Sequence, residues 1–255
     1  MNLKKINFFF FLLVVLSTLT FFYRFLQHKP DPAPPSEIPK KVTIAILGDS
    51  MVDTMGQDLP YLKKELQENF PHIEFTLLNY GVSSTDMDYG FFRMTNDYTY
   101  KDKTYKSILS LAPDILVIGS FAYNPFNLDI DEGLDHQWEL FNQITTLATQ
   151  NNIRIILLAT IAPNKQKFGL GQNQAFWDNQ TRLFHADKIE KYLQNTLKYV
   201  SASKLPLVNA YEQSLNFQDG NLKYISAQDH IHPSELGHQL IARLITEEIS
   251  SLNWF

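Results

Sequence analysis

The stretch Val42–Ser50, VTIAILGDS, decides the fold class of this 255-residue chain. Its first six residues are mostly apolar and β-branched, and Gly48 follows them directly, which is typical of a parallel strand buried on both faces. Four later runs have the same character and predict further strands at Ile73–Leu78, Ile115–Gly119, Ile153–Ala159 and Leu207–Asn209. The chain therefore offers five candidate strands for one sheet.

Segments with apolar residues at helical spacing separate these strands. The spacing predicts helices over Asp58–Phe70, Asp102–Leu111, Asp135–Gln150, Phe184–Ser201 and Ser234–Ser250. Strands that alternate with helices imply right-handed βαβ units with helices on both faces of the sheet. We therefore predict an α/β domain over residues 42–252, in which a mostly parallel five-stranded sheet lies between two helical layers.

The residues before this domain have a different composition. Residues 6–23 form an apolar run of about 27 Å as a helix, enough to cross a bilayer, and Lys4 and Lys5 predict a cytoplasmic N-terminus. We expect residues 1–27 to be a transmembrane anchor, with a cleaved signal peptide as the alternative. Residues 28–41 contain five prolines and are expected to form an extended linker.

The charge and the cysteine count exclude several classes of function. Residues 1–41 are basic, so the rest of the chain is more acidic than the overall net charge of −5 indicates. An acidic domain argues against nucleic-acid binding, which needs a basic surface to displace counterions from phosphates. The absence of cysteine excludes disulfides, thiolate metal sites and a cysteine nucleophile.

Polar residues follow three predicted strands, where the active crevice of a doubly wound sheet lies. Gly48-Asp49-Ser50 follows the first strand, Asn79-Tyr80-Gly81 the second and Gly119-Ser120 the third. Asp229-His230-Ile231-His232-Pro233 lies near the C-terminus. A serine hydroxyl needs a base to take its proton, and the base needs a carboxylate to fix its tautomer. These residue types together indicate nucleophilic catalysis.

The four blocks, in this order, resemble those of the SGNH (GDSL-type) hydrolase superfamily over residues 42–250. The resemblance implies a three-layer, flavodoxin-like α/β sandwich and a serine hydrolase that acts on esters. It also implies Ser50 as nucleophile, His232 as general base and Asp229 as the acid that orients it. The oxyanion hole would take the backbone N–H groups of Ser50 and Gly81, completed by a side-chain amide from the third block.

The third block departs from the family pattern, which has asparagine two residues after the glycine. Phe121 occupies that position here, and Asn124 is the nearest amide. We expect Asn124, on a loop of different shape stiffened by Pro125, to supply the amide of the oxyanion hole.

Other interpretations of these residues are simpler. Ser50 alone would suit a helix cap, and His230 is an alternative base, although it directly follows Asp229 and is hard for that carboxylate to reach. The histidines lack a regular ligand spacing, so we expect neither a metal site nor a cofactor.

Two segments offer possible substrate contacts. The aromatic residues between Phe91 and Tyr105 either pack in the core or form a ledge for sugar rings. Residues Gly169–Trp177 are expected to form a loop over the crevice.

Three functions use these features. The leading hypothesis is a membrane-anchored serine esterase outside the cytoplasm, which removes small acyl groups from a cell-envelope glycan. An O-acyltransferase with the same site is one alternative. A catalytically inactive, glycan-binding domain is another, because the third block is altered. The expected partners are an ester substrate such as an acylated polysaccharide, and a membrane bound through the N-terminal helix; no nucleic acid is expected.

Overall fold

The computed structural model describes residues 40–172 and 177–255, and a five-stranded sheet forms the centre of this part. The strands are β1 (Lys40–Gly48), β2 (Ile73–Gly81), β3 (Tyr98–Tyr100), β4 (Lys103–Tyr105), β5 (Ile115–Gly119), β6 (Arg154–Ala159), β7 (Leu207–Asn209), β8 (Leu215–Asn216) and β9 (Asp219–Gly220). The strand order in the central sheet is β2-β1-β5-β6-β7, and all four pairings are parallel. The predicted five-stranded parallel sheet is therefore confirmed.

Helices connect these strands. Those predicted over Asp58–Phe70 and Ser234–Ser250 begin and end within two residues of the predicted positions, whereas those predicted to begin at Asp135 and Phe184 each begin five residues earlier. Ser234 caps the last helix as predicted, since its Oγ accepts a hydrogen bond from Gly237 N–H. The helices are α1 (Ser50–Asp53), α2 (Pro60–Asn69), α3 (Met87–Thr95), α4 (Ile108–Leu111), α5 (Ile130–Gln150), α6 (Asn179–Ser203), α7 (Ala210–Gln213) and α8 (Glu235–Ser251), with a 3₁₀ turn at Leu222–Tyr224.

The sheet separates two hydrophobic cores. Side chains alternate across a strand, so Ile44 and Ile46 of β1 face one core while Ala45 and Leu47 face the other. The first core contains buried residues of α1, α2 and α8, and the second contains those of α3, α5 and α6. This arrangement is the predicted three-layer α/β/α sandwich.

A β-hairpin replaces part of the helix predicted over Asp102–Leu111. Strands β3 and β4 pair antiparallel, and the helix is limited to α4. Tyrosine and threonine dominate both strands and favour extended backbone. Lys101 and Asp102 form the two-residue turn with φ of 48° and 60°, the left-handed values that such a turn requires. The helix prediction was wrong over Asp102–Tyr105, because the β propensity of threonine and tyrosine outweighs the helical spacing there.

The domain extends slightly beyond its predicted limits. Strand β1 begins at Lys40, and the Phe255 ring packs edge-on against Phe70 and Phe75 at centroid distances of 5.5 and 5.8 Å. The predicted anchor at residues 1–27 and nearly all of the linker lie outside the described residues. In the described ranges, none of the helices is both long enough and apolar enough to cross a bilayer.

Candidate active site

Ser50 follows the turn between β1 and α1 and is the first residue of that helix. Asp49 caps this helix, because its Oδ1 accepts a hydrogen bond from Met51 N–H at 3.0 Å. Gly48 permits the tight turn, since a Cβ there would lie 2.2 Å from Val52 Cγ2. The strand end and the cap together fix the backbone that carries the Ser50 hydroxyl.

His232 and Asp229 form a hydrogen-bonded pair on the loop before α8. His232 Nδ1 lies 2.7 Å from Asp229 Oδ2, while Asp229 Oδ1 accepts the N–H groups of Ile231 and His232 at 2.8 and 3.0 Å. Burial by itself raises the pKa of Asp229, but these hydrogen bonds outweigh it and the net pKa is below the ordinary value. Asp229 is therefore held as a carboxylate that fixes the orientation of the His232 ring.

One cavity of about 480 Å³ brings the separate blocks together at the carboxyl end of the sheet. Ser50, Asn124 and His232 all line it, while Asp229 lies outside the lining and contacts His232. His230 is not part of the lining either, and it has a φ of 55°. The cavity therefore holds the two groups that nucleophilic catalysis uses, a serine and a carboxylate-bound histidine, although no hydrogen bond joins Ser50 to His232 in this structure.

Asn124 lies beside the serine turn although its sequence position is shifted. Its Nδ2 donates to Asp49 Oδ2 at 3.0 Å, and the amide keeps a second N–H for another acceptor. Burial raises the pKa of Asp49, and the hydrogen bond from Asn124 partly opposes this rise. Phe121, in the family's usual asparagine position, is buried with a φ of 53° and lies over Gly90.

Gly81 has a structural position that does not favour the oxyanion role predicted for it. Its N–H donates to Asn79 Oδ1 at 2.8 Å, and Gly81 does not line the cavity. A Cβ on Gly81 would lie 2.1 Å from the backbone nitrogen of Asp53, so glycine is needed for the close approach of β2 to α1.

Ser83 and Ser84 line the cavity instead, two and three residues beyond Gly81. Ser84 has a φ of 60°, and its N–H makes no hydrogen bond to another described residue. Sequence reasoning missed both residues, because nothing in a Ser-Ser pair reveals that it lines a cavity.

Arg93 was also missed, because a single arginine in a helix usually points to solvent. Its guanidinium is fully buried and donates to the carbonyl oxygens of Gly48 and Tyr80, at the ends of β1 and β2. Arg93 therefore joins the two strand ends that precede Ser50 and the Ser83–Ser84 loop.

Stacked rings form one wall of the cavity. Trp177 stacks on Phe168 at a centroid distance of 6.0 Å and on His185 at 4.7 Å. The predicted loop over the crevice thus contributes Trp177, although residues 173–176 lie outside the described ranges. The aromatic segment between Phe91 and Tyr105 is absent from the cavity lining; its Tyr98 and Tyr105 stack on each other at 5.0 Å, so packing explains them.

His238 in α8 gives the fold a measurable pH dependence. Burial, and then the nearby His232, lower the pKa of His238 to about 4. Unfolded histidine has a pKa of about 6.5, so between these values the unfolded chain binds a proton that the folded chain does not. The free energy of unfolding should therefore fall by up to roughly 3 kcal/mol as the pH drops from about 6.5 to about 4.

Urea unfolding at pH 7 and pH 4.5 measures this effect. The His238→Gln variant removes the titrating group and should lose less stability over the same interval than the wild type. An equal loss in both proteins would contradict the assignment.

Comparisons with known proteins agree with this architecture. No protein-family model matches the chain, and no curated protein matches it. Solved structures do: a lipase/acylhydrolase from Enterococcus faecalis is 19% identical, with 83% of this chain and 96% of that chain covered and a TM-score of 0.56. A GDSL-like lipase from Bacteroides thetaiotaomicron is 18% identical, with 90% and 97% covered and a TM-score of 0.58.

An acetylxylan esterase from Geobacillus stearothermophilus, solved as a catalytic mutant, is also similar. It is 15% identical, with 84% of this chain and 96% of that chain covered and a TM-score of 0.58. Identities at this level establish the fold. The chain has the fold of the GDSL-type, or SGNH, lipases and acylhydrolases.

Proposed function

We propose that this protein is a serine hydrolase that cleaves ester bonds with Ser50, His232 and Asp229. The observation that carries the proposal is the single cavity lined by Ser50 and by a His232 ring whose Nδ1 is held by Asp229 at 2.7 Å. The lipases, acylhydrolases and acetylxylan esterase with the same fold support an ester as the substrate.

The spacing of the acid and the base adds support. The catalytic mutants of the Geobacillus acetylxylan esterase replace a serine, an aspartate and a histidine, and that aspartate precedes the histidine by three residues. Asp229 precedes His232 by the same interval.

The reaction follows from the protonation states that this geometry stabilises. Because Asp229 binds Nδ1 of His232, Nε2 is the ring nitrogen left to accept a proton. Ser50 Oγ attacks the ester carbonyl as Nε2 takes the hydroxyl proton, and the same proton then passes to the leaving alcohol. Water then attacks the acyl-enzyme carbonyl as Nε2 takes its proton, and Nε2 returns that proton to Ser50 Oγ as the acid leaves.

The tetrahedral intermediate needs hydrogen-bond donors around its oxyanion. The Ser50 N–H is suited to this, since the first N–H groups of a helix have no partner within the helix. Asn124 supplies the free N–H of its amide, while its other N–H binds Asp49. In this proposal Ser84, whose N–H is free among the described residues, replaces Gly81 as the third donor.

Replacing Asn124 with alanine tests this oxyanion hole. Loss of one donor is expected to lower kcat by roughly 10²–10³-fold with little change in KM, because the donor acts on charge that develops in the transition state. The measurement is hydrolysis of p-nitrophenyl acetate. The matched control is Asn142→Ala on α5, outside the cavity; equal losses in both variants would argue against a role for Asn124.

A small acyl group on a cell-envelope glycan is the substrate that we propose, with the active domain held outside the cytoplasm by residues 1–27. The wall formed by Phe168, Trp177 and His185 supports it, since flat aromatic rings suit the apolar faces of sugars. The apolar run and the flanking lysines support the location.

Two assays test these parts separately. Acetate release from an acetylated polysaccharide should exceed the release from the same amount of p-nitrophenyl acetate at equal enzyme, and a reversed preference would contradict a glycan substrate. Protease added to intact cells should digest the domain; protection would contradict the location. Transfer of the acyl group to an added sugar in preference to water would identify a transferase instead.

A further inference from the structure

Asp53, three residues after Ser50, gathers hydrogen bonds from two segments outside its own helix. Its Oδ2 accepts from Ser83 Oγ at 2.6 Å and from Tyr100 OH at 2.9 Å, and Lys101 Nζ lies 3.0 Å from both carboxylate oxygens. The Asp53 side chain is 15% exposed, so its contacts with Ser83 and Tyr100 are largely shielded from water, whereas the Lys101 side chain is 66% exposed. The reaction described above makes no use of this carboxylate.

The contacts join three separate elements. Asp53 ends α1, the helix that Ser50 begins; Ser83 belongs to the loop that lines the cavity; and Tyr100 and Lys101 lie at the tip of the β3–β4 hairpin. Tyr100 OH also lies 3.3 Å from Ser83 N, so both the backbone and the hydroxyl of Ser83 are held.

Ser84, the next residue, depends on this support. Its φ of 60° is a left-handed value that serine adopts only at a cost, so neighbouring contacts must maintain it. Its N–H is free among the described residues and belongs to a residue of the cavity lining. Ser83, whose backbone N–H and hydroxyl are both hydrogen-bonded, is the residue directly before Ser84.

Three donors also keep Asp53 ionised. Burial raises the pKa of Asp53, but the hydrogen bonds from Ser83, Lys101 and Tyr100 outweigh it and leave the pKa below its ordinary value. A charged acceptor makes stronger hydrogen bonds than a neutral one. The Asp53 carboxylate is thus the acceptor that Ser83, Tyr100 and Lys101 share.

We propose that Asp53 is a positioning residue, which fixes the Ser83–Ser84 loop against the nucleophile helix and so aims the Ser84 N–H at the oxyanion. The proposal rests on the proposed ester hydrolysis at Ser50. It assigns the hairpin a task as well: Tyr100 OH binds the same carboxylate oxygen as Ser83 Oγ, and Lys101 Nζ contacts both carboxylate oxygens.

The test compares Asp53→Asn with Asp97→Asn. Asp97 is a matched control, because it pairs with Lys106 at 2.8 Å and accepts Ser107 N–H at the base of the same hairpin, away from α1. We expect Asp53→Asn to lower kcat for p-nitrophenyl acetate by roughly 10- to 100-fold with KM unchanged, since small misplacements of catalytic groups cost this much. Asp97→Asn should leave kcat unchanged.

Binding of a boronic acid, which forms a tetrahedral adduct with serine, separates positioning from general damage. The adduct should weaken in Asp53→Asn by about the same factor as kcat. Ser83→Ala, a smaller change, should lower both in the same direction, and Ser83→Thr should restore both. Equal kcat in Asp53→Asn and wild type, or a loss of kcat without a loss of boronate affinity, would overturn the proposal.

Labelling of the wild type by a fluorophosphonate distinguishes a failure of the positioning role from a failure of the proposed ester hydrolysis. A wild type that is labelled and active, with an unaffected Asp53→Asn variant, contradicts only the positioning role. A wild type that is neither labelled nor active contradicts the proposed function itself, and the positioning role with it.

Discussion

Replacing Ser50 with alanine is expected to lower kcat for ester hydrolysis by roughly 10⁵- to 10⁶-fold, the loss seen when a serine nucleophile is removed from a protease. The reason is that the substitution removes the proposed nucleophile, the Ser50 hydroxyl, from the cavity that the carboxylate-bound His232 also lines. Hydrolysis of p-nitrophenyl acetate and labelling by a fluorophosphonate measure the effect. Both should disappear together.

A second substitution sharpens this result. Residues that act as one unit do not have additive effects, so Ser50→Ala combined with His232→Ala should be scarcely slower than Ser50→Ala alone. Ser110→Ala is a matched control, because the Ser110 hydroxyl bonds the Ser107 carbonyl in α4, outside the cavity lining. Activity retained by Ser50→Ala would refute the mechanism.

Replacing Asp229 with asparagine is expected to lower kcat by roughly 10⁴-fold, since the corresponding change in a serine protease has this effect. Asp229 Oδ2 accepts the proton of His232 Nδ1, whereas an amide nitrogen at that place donates one. The ring would then carry its proton on Nε2 and could no longer accept the serine proton. KM should change little, because Asp229 does not line the cavity.

The chain provides a close control for this variant. Asp88 forms a second aspartate–histidine pair with His136 at 2.9 Å, and both residues lie outside the lining of the catalytic cavity. Asp88→Asn should leave kcat unchanged. If Asp229→Asn kept more than about a tenth of the wild-type kcat, Asp229 would not be the residue that sets the tautomer of His232.

The groups that meet at the cavity were predictable where local spacing determines them. Asp229 and His232 are three residues apart on one loop, and Ser50 directly follows a buried strand, so their local geometry was predictable; their assignment to one site came from the resemblance to the SGNH hydrolases. Asn124 was predictable for a different reason: the carboxyl ends of parallel strands lie side by side, so an amide a few residues beyond β5 has Asp49 within reach.

The remaining features depend on contacts between distant segments. Gly81 was predicted as an oxyanion donor, but its N–H is taken by Asn79, and the nearby cavity residues are Ser83 and Ser84. From the sequence alone Arg93 would be predicted at the surface, but the packing of α3 on the sheet buries it. Burial and backbone direction at these positions arise from tertiary packing, so they cannot be predicted from the local sequence.

Strand β1 also acts as a rigid spacer. It runs for nine residues, about 30 Å at the rise of an extended chain, from Lys40 to Gly48. The preceding chain joins at its first residue, and the nucleophile follows its last. The residue at which the strand begins and the reacting hydroxyl are therefore separated by the whole height of the sheet.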